Sequence, residues 1–67
     1  MSTSYQIRIR GHLDPEWTDY FSGLEISQEP DGTTTLTGAV ADQSALQGLL
    51  DRIHSLGLQL LLVEKIE

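Results

Sequence analysis

The chain contains two kinds of hydrophobic pattern. In some segments apolar and polar residues alternate, which is typical of a strand with one buried face. In others apolar residues recur every three or four positions, which is typical of an amphipathic helix. In chain order these patterns predict strand, helix, strand, strand, helix and strand. The predicted segments are 5–10, 14–23, 24–28, 33–37, 42–56 and 58–66.

Residues that favour turns and helix ends lie between these segments. Pro30 and Gly32 suit a tight turn and predict a hairpin between the second and third strands. Asp14 and Asp42 are suited to accept hydrogen bonds from the first free amides of the two helices. Gly57 is suited to end the second helix.

Each predicted helix has one apolar face. In the first helix we expect this face to form core rather than a ligand pocket. Its members are Trp17, Tyr20, Phe21 and Leu24. The apolar stripe of the second helix is longer, and its members are Ala45, Leu46, Leu49, Leu50, Ile53 and Leu56. Both helices are therefore expected to pack against the sheet.

The last predicted strand is apolar on both faces. Leu60 and Leu62 lie on one face by alternation, and Leu61 and Val63 lie on the other. A strand of this kind requires cover on both sides. We expect the helices to cover Leu60 and Leu62, and Leu61 and Val63 to lie on the open face of the sheet.

The element order predicts an α+β fold of the ferredoxin-like type, β-α-β-β-α-β. Right-handed crossovers place both helices on one face of a four-stranded antiparallel sheet. The length of 67 residues allows a single domain, residues 1–67. On the open face we expect Arg8 and Arg10 of the first strand, together with Leu61 and Val63.

The chain is acidic, with ten acidic side chains, four basic ones and a formal charge of −6. This charge repels nucleic-acid phosphates and anionic membranes, so neither is an expected partner. The first residues lack the basic and apolar regions of a signal peptide. No apolar run approaches the roughly 20 residues that span a bilayer. We therefore expect a soluble, cytoplasmic protein.

Few residues suggest catalysis or metal binding. The chain has no cysteine and no glycine-rich phosphate loop. His12, Asp14 and Glu16 are candidates for a ligand cluster, but Pro15 begins a helix there and Asp14 is needed as its cap. The sequence therefore predicts no catalytic residue, no metal site and no cofactor, and a protein that is not an enzyme.

Self-association is the leading functional prediction. A domain of this size has one small core, which rarely supplies more than about 3–5 kcal/mol of stability. A homodimer would cover Leu61 and Val63, with Arg8 and Arg10 at the same interface. The sequence leaves open whether the two sheets pack face to face or join through edge strands.

Three segments resemble a family of small uncharacterised bacterial proteins of about this length. They are Gly11-His12-Leu13-x3-Trp17, Asp31-Gly32-Thr33-Thr34 and Val40-x-Asp42-Gln43-x-Ala45-Leu46-x-Gly48-Leu49-Leu50. The resemblance extends over nearly the whole chain. It implies no known activity.

Two alternatives to a self-associating module stay open. The loop after the first strand resembles the ligand loop of ACT-type regulatory domains, which implies a small-ligand site at Gly11, His12 and Asp14. A small cofactor-independent enzyme is the other alternative. It would need a buried titratable group, for which His12 is the candidate.

Overall fold

The computed structural model describes residues 3–66. Its elements are β1 (Thr3–Arg10), a 3-10 helix (Pro15–Phe21), β2 (Glu25–Gln28), β3 (Thr33–Val40), α1 (Gln43–Ser55) and β4 (Leu60–Lys65). The strands form one four-stranded antiparallel sheet in the order β2-β3-β1-β4. The predicted α+β class, with four strands and two helices, is confirmed.

One hydrophobic core lies between the sheet and the helices. Ile7 of β1 is fully buried and pairs with Leu36 of β3, which is also fully buried. Both helices contribute to the same core, through Phe21 of the 3-10 helix and Leu49 of α1. We call the side of the sheet that carries Ile7 the helix face, and the opposite side the open face.

The helix ends follow the sequence prediction. Asp14 Oδ1 accepts a hydrogen bond from the Glu16 N–H at 2.9 Å, and Asp42 Oδ1 accepts one from the Ala45 N–H at 2.8 Å. Beyond α1, Gly57 has a φ of +74°, a backbone conformation that glycine adopts without steric cost. The two predicted N-caps and the predicted helix stop are confirmed.

The apolar stripe of α1 is buried only along its centre. Leu46, Leu49 and Ile53 are buried, whereas Ala45 and Leu56 at the two ends of the predicted stripe are exposed. The predicted stripe is therefore buried at its centre and exposed at its two ends. Helical periodicity assigns residues to a face but does not say how far the sheet extends beneath it.

The first helix is a 3-10 helix, which changes the set of buried residues. It has three residues per turn, so side chains three positions apart lie above one another. Trp17 and Tyr20 share one such row and are 39 % and 42 % exposed, whereas Phe21, the last residue of the helix, is buried, as is Leu24 beyond the helix end. The prediction that Trp17 and Tyr20 form core is wrong, because it assumed the α-helical spacing.

β4 contains an irregularity that changes the direction of its side chains. The partners in β1 and β4 are Arg8 with Leu62, Ile7 with Val63, and Ile9 with Leu60. Leu61 is therefore an extra residue, as in a β-bulge. Because paired residues share a face of the sheet, Leu62 lies on the open face and Val63 on the helix face. The prediction that Leu61 and Val63 share the open face is wrong, since the extra residue shifts the alternation by one.

Gly38 of β3 lies so close to Leu24 that there is little room for a side chain at this position. A Cβ atom at this position would lie 2.7 Å from Leu24 Cδ2 and 3.5 Å from Leu24 Cα. Leu24 is only 2 % exposed, so its side chain has little room to move. We expect Gly38→Ala to lower the free energy of unfolding by about 1–3 kcal/mol, measured by urea denaturation.

Gly48 provides the matched control for that substitution. A Cβ atom at Gly48 would meet nothing within 4 Å, and the residue lies inside α1, where alanine is favoured over glycine by about 0.5–1 kcal/mol. We expect Gly48→Ala to raise the free energy of unfolding. Equal effects of the two substitutions would contradict the close approach of Gly38 to Leu24.

Candidate functional site

The outer strand β4 is the most exposed apolar part of the structure. All six residues of β4 are exposed. The exposed fractions are 43 % for Leu60, 40 % for Leu61, 39 % for Leu62 and 36 % for Val63. We call these four residues the β4 apolar edge. Ile66, immediately after the strand, is 45 % exposed and extends this surface.

The backbone of β4 also has free hydrogen-bonding groups at its outer side. The Ile66 N–H donates to the Ser4 carbonyl at 2.9 Å, so Ile66 directs its backbone groups towards β1. In an antiparallel pair these directions alternate along the strand. The N–H and C=O groups of Lys65 and Val63 therefore point away from β1. They line the outer edge, where no further strand of residues 3–66 lies.

The opposite edge of the sheet differs from β4. β2 is four residues long, and its apolar residue, Ile26, is buried. The exposed residues of β2 are Glu25, Ser27 and Gln28. A short edge strand with polar and charged side chains discourages pairing with another chain. The sheet therefore has one protected edge and one apolar edge.

Arg8 and Arg10 were predicted to lie at a dimer interface beside Leu61 and Val63. Arg8 is partly buried on the open face, between Thr35 of β3 and Leu62 of β4. Arg10 is exposed at the end of β1. The structure thus brings Arg8 beside Leu62, a residue that the sequence analysis had assigned to the other face.

Two buried polar atoms on the open face have no hydrogen-bond partner among residues 3–66. They are Arg8 Nε and Thr35 Oγ1. Thr35 is only 7 % exposed although it lies on this face, and it pairs with Arg8 across the sheet. A buried hydroxyl without a partner contributes nothing favourable to stability.

The predicted ligand loop, at Gly11, His12 and Asp14, is held by hydrogen bonds to the hairpin and to its own helix. The Gly11 N–H donates to the Gly32 carbonyl at 2.7 Å, and His12 Nε2 donates to the Glu29 carbonyl at 2.9 Å. Asp14 caps the 3-10 helix. These contacts are those of a structural loop, with the polar groups of the three residues directed into the protein's own backbone.

Thr34 binds the same loop through hydrogen bonds of its side-chain hydroxyl. Its side chain is fully buried, and Oγ1 donates to the Gly11 carbonyl at 2.6 Å and accepts from the Leu13 N–H at 3.0 Å. Gln28 Nε2 donates to the Leu13 carbonyl at 3.1 Å. The function of Thr34 is not evident from the sequence, because a threonine in a strand rich in β-branched residues gives no signal of such a role.

An exposed pair of aromatic rings is a further surface feature that the sequence analysis missed. Trp17 and Tyr20 form an edge-to-face contact with ring centroids 5.4 Å apart. The Arg52 guanidinium lies 5.5 Å from the centre of the Tyr20 ring, and Nη1 donates to the Tyr20 carbonyl at 2.8 Å. Arg52 thereby fixes the 3-10 helix to the end of α1.

The turn between β2 and β3 contains a carboxyl group with a perturbed pKa. Thr33 donates to Asp31 Oδ1 from Oγ1 at 2.6 Å and from its N–H at 3.0 Å. These hydrogen bonds lower the pKa of Asp31, and the positive charge of Arg8 acts in the same direction. They stabilise the turn with Asp31 ionised. The carboxylate is a turn residue at the protein surface.

Residues 3–66 form neither a pocket for a small molecule nor a cluster of three or more potential metal ligands. No helix in this part of the chain is long and apolar enough to cross a membrane. The candidate functional site is the β4 apolar edge, an exposed aliphatic surface on the outer strand of the sheet.

Comparison with known proteins identifies a family but no activity. No match to the chain was found among curated proteins, and none was found among solved structures. The model of one family matches residues 4–64, which is almost the whole chain. The predicted resemblance to an uncharacterised family agrees with this match. The chain belongs to the family described as "Domain of unknown function (DUF8691)".

Proposed function

We propose that this protein is a non-enzymatic interaction module that associates with a second copy of itself through β4. The observation that carries the proposal is the β4 apolar edge, with four consecutive aliphatic residues exposed on a strand whose outer side pairs with no other strand of residues 3–66. Native proteins usually shorten, charge or cover such an edge, because it pairs readily with other chains. A specific partner is one way to cover it.

Stability considerations support the same proposal. A single core of this size supplies only a few kcal/mol, roughly 3–5. Binding between folded subunits stabilises the folded state, because the unfolded chain does not form the interface. Covering the β4 apolar edge would also remove aliphatic surface from water, at about 25 cal/mol per Å². A homodimer would therefore make a marginal domain more stable.

The proposed arrangement of the elements is ferredoxin-like. Its support is the strand order β2-β3-β1-β4 and the contribution of both helices to one core. In this arrangement β4 follows α1 and lies at the outside of the sheet.

The proposal is tested by placing a charge on the β4 apolar edge. We expect Leu62→Lys to weaken the dimer by about 100-fold or more in Kd, because an unpaired charge buried at an interface costs several kcal/mol. The monomer should stay folded, since Leu62 is 39 % exposed. Sedimentation equilibrium over a range of protein concentrations measures the change, and circular dichroism checks the fold.

Ser27→Lys is the matched control. Ser27 is exposed and lies on the open face of β2, at the other edge of the sheet. The substitution adds the same charge to an edge strand but leaves β4 unchanged, so the dimer should persist. A wild-type protein that sediments as a monomer at millimolar concentration would refute the proposed function.

A further inference from the structure

We infer that two copies join β4 to β4 in an antiparallel pair centred on Leu62, which produces one continuous eight-stranded sheet. The inference rests on the proposed self-association and specifies its geometry. It follows from the exposed residues of each face, the backbone directions in β4 and the positions of the charges. The exposed residues argue against packing of two open faces, and the backbone directions and charges restrict the register of the strand pair.

The open face is poorly suited to packing against a second sheet. The strand pairings place on it Ser4, Gln6, Arg8, Arg10, Glu25, Ser27, Thr33, Thr35, Thr37, Ala39, Leu62 and Glu64, and the hydrogen bond from the Ile66 N–H to the Ser4 carbonyl places Ile66 there as well. Only Leu62 and Ile66 in this set are large apolar residues. Cores between packed sheets are built from apolar side chains on both inner faces. Pairing through the outer edge of β4 instead covers Leu62 and Val63 together, although they lie on opposite faces.

Symmetry restricts the register of an edge-to-edge pair. Two copies related by a two-fold axis form the same contacts in both directions. When the axis is perpendicular to a continuous antiparallel sheet, open-face residues meet open-face residues and one residue of β4 faces its own copy. The strand length and the bulge at Leu61 leave Leu62, Val63 and Glu64 as the possible central residues.

The charges and aliphatic residues distinguish among these three registers. A pair centred on Glu64 would place two carboxylates directly opposite each other, which is destabilising. A pair centred on Val63 would place Leu62 opposite the partner's Glu64. A pair centred on Leu62 places Leu62 opposite its own copy, Leu61 opposite the partner's Val63 and Leu60 opposite the partner's Glu64. In this last register aliphatic residues face aliphatic residues at the three central positions, and Glu64 and Lys65 lie outside them.

The backbone directions are compatible with the Leu62-centred register. Leu62 and Ile66 lie an even number of residues apart, so the backbone groups of Leu62 also point towards β1. Towards the partner, Leu62 therefore forms a non-hydrogen-bonded pair, in which opposite Cα atoms lie about 4.5 Å apart. The N–H and C=O groups of Val63 point outwards and are free to bond with the partner strand.

Single cysteine substitutions test the register directly, because the chain has no cysteine of its own. The variants are Leu62→Cys, Val63→Cys and Glu64→Cys, with Ser27→Cys as a control on the opposite edge. A disulfide requires Cα atoms within about 7 Å. In the Leu62-centred register, two copies of Val63 are about 8 Å apart, from two residues of strand rise and one strand spacing.

Under mild oxidation we expect Leu62→Cys to form a covalent dimer about tenfold faster than the other variants. The reason is that only the two copies of residue 62 lie within the Cα–Cα distance that a disulfide requires. Non-reducing electrophoresis gives the rates, and sedimentation of the reduced variants establishes whether each one is a dimer. Faster cross-linking at Val63 or Glu64 in a protein that is a dimer would overturn the register and leave the proposed self-association in place.

Three other outcomes would overturn more than the register. A reduced protein that sediments as a dimer but cross-links at none of the β4 positions would overturn pairing through the β4 edge. Rapid cross-linking at Ser27 would do the same and would assign the interface to β2. A reduced Leu62→Cys protein and a wild type that are both monomeric would overturn the proposed function together with this inference.

Discussion

Replacing Thr34 with valine is expected to lower the free energy of unfolding by about 2–4 kcal/mol. The same replacement at the next residue, Thr35, is expected to leave the free energy of unfolding unchanged or to raise it slightly. Valine and threonine have nearly the same shape. The two substitutions therefore differ mainly in the hydrogen bonds that each hydroxyl forms.

The Thr34 hydroxyl joins two backbone groups of the loop after β1. It donates to the Gly11 carbonyl and accepts from the Leu13 N–H, and the Thr34 side chain is fully buried. Valine would leave both backbone groups without this partner. Each unsatisfied buried group costs about 1–3 kcal/mol, which is a large part of the roughly 3–5 kcal/mol available to a domain of this size.

The Thr35 hydroxyl has no such function. Its Oγ1 is buried without a hydrogen-bond partner among the residues that the structure describes. Valine replaces this hydroxyl with a methyl group, removes an unsatisfied polar atom and favours the strand conformation slightly more than threonine. The expected change is between zero and a gain of about 1 kcal/mol.

Urea denaturation at equal protein concentrations measures both effects. The Leu62→Lys background is the better host, because a monomer removes the concentration dependence that self-association adds. Similar losses of stability for the two valine variants would contradict the hydrogen bonds assigned to Thr34. Amide hydrogen exchange at Leu13 provides a local readout and should become faster only in Thr34→Val.

The second large effect is expected at Phe21. Phe21→Ala should lower the free energy of unfolding by about 3–5 kcal/mol, because it removes a fully buried aromatic ring and leaves a cavity. Phe21 is 0 % exposed and packs edge to face against Tyr20, with ring centroids 5.1 Å apart. The expected loss approaches the whole stability of the monomer, so this variant should be largely unfolded at 25 °C.

Trp17→Ala serves as the control for the Phe21 substitution. Trp17 lies in the exposed row of the 3-10 helix and is 39 % exposed, so its removal should cost much less than that of Phe21. Circular dichroism and urea denaturation compare the two variants. An equal or larger loss for Trp17→Ala would mean that Trp17, rather than Phe21, anchors this helix.

Much of the fold was predictable because local signals agreed with one another. The alternation of Tyr5–Arg10, the turn at Pro30 and Gly32, and the caps at Asp14 and Asp42 each act within a few residues. Local backbone preferences determine such features before any distant contact forms. The observed strands, hairpin and N-caps lie where these signals place them.

The candidate site was only partly predictable. The apolar character of Leu60–Val63 is evident in the sequence, and the structure shows these four residues exposed on the last strand. The extra residue at Leu61 is not evident, because a bulge depends on how β4 pairs with β1. As a result, the predicted interface included Val63 as an open-face residue and omitted Leu62.

The exposed aromatic rings were missed for a related reason. Trp17, Tyr20 and Phe21 have spacing compatible with one face of an α-helix, yet the segment forms a 3-10 helix. Arg52 of α1 holds that segment by its hydrogen bond to the Tyr20 carbonyl. The local sequence contains no signal for a contact with a residue more than 30 positions away, so the choice of helix type and its buried row depended on tertiary packing.

The sequence by itself determined the number, type and order of the elements, because periodicity, caps and turns are properties of neighbouring residues. Only the tertiary structure decided which face each residue of β4 occupies, which edge of the sheet stays open, and that Thr34 binds the loop at Gly11 and Leu13. These features depend on strand pairing and burial between distant segments. A shift of one residue in that pairing exchanges the two faces of a strand without any change in sequence.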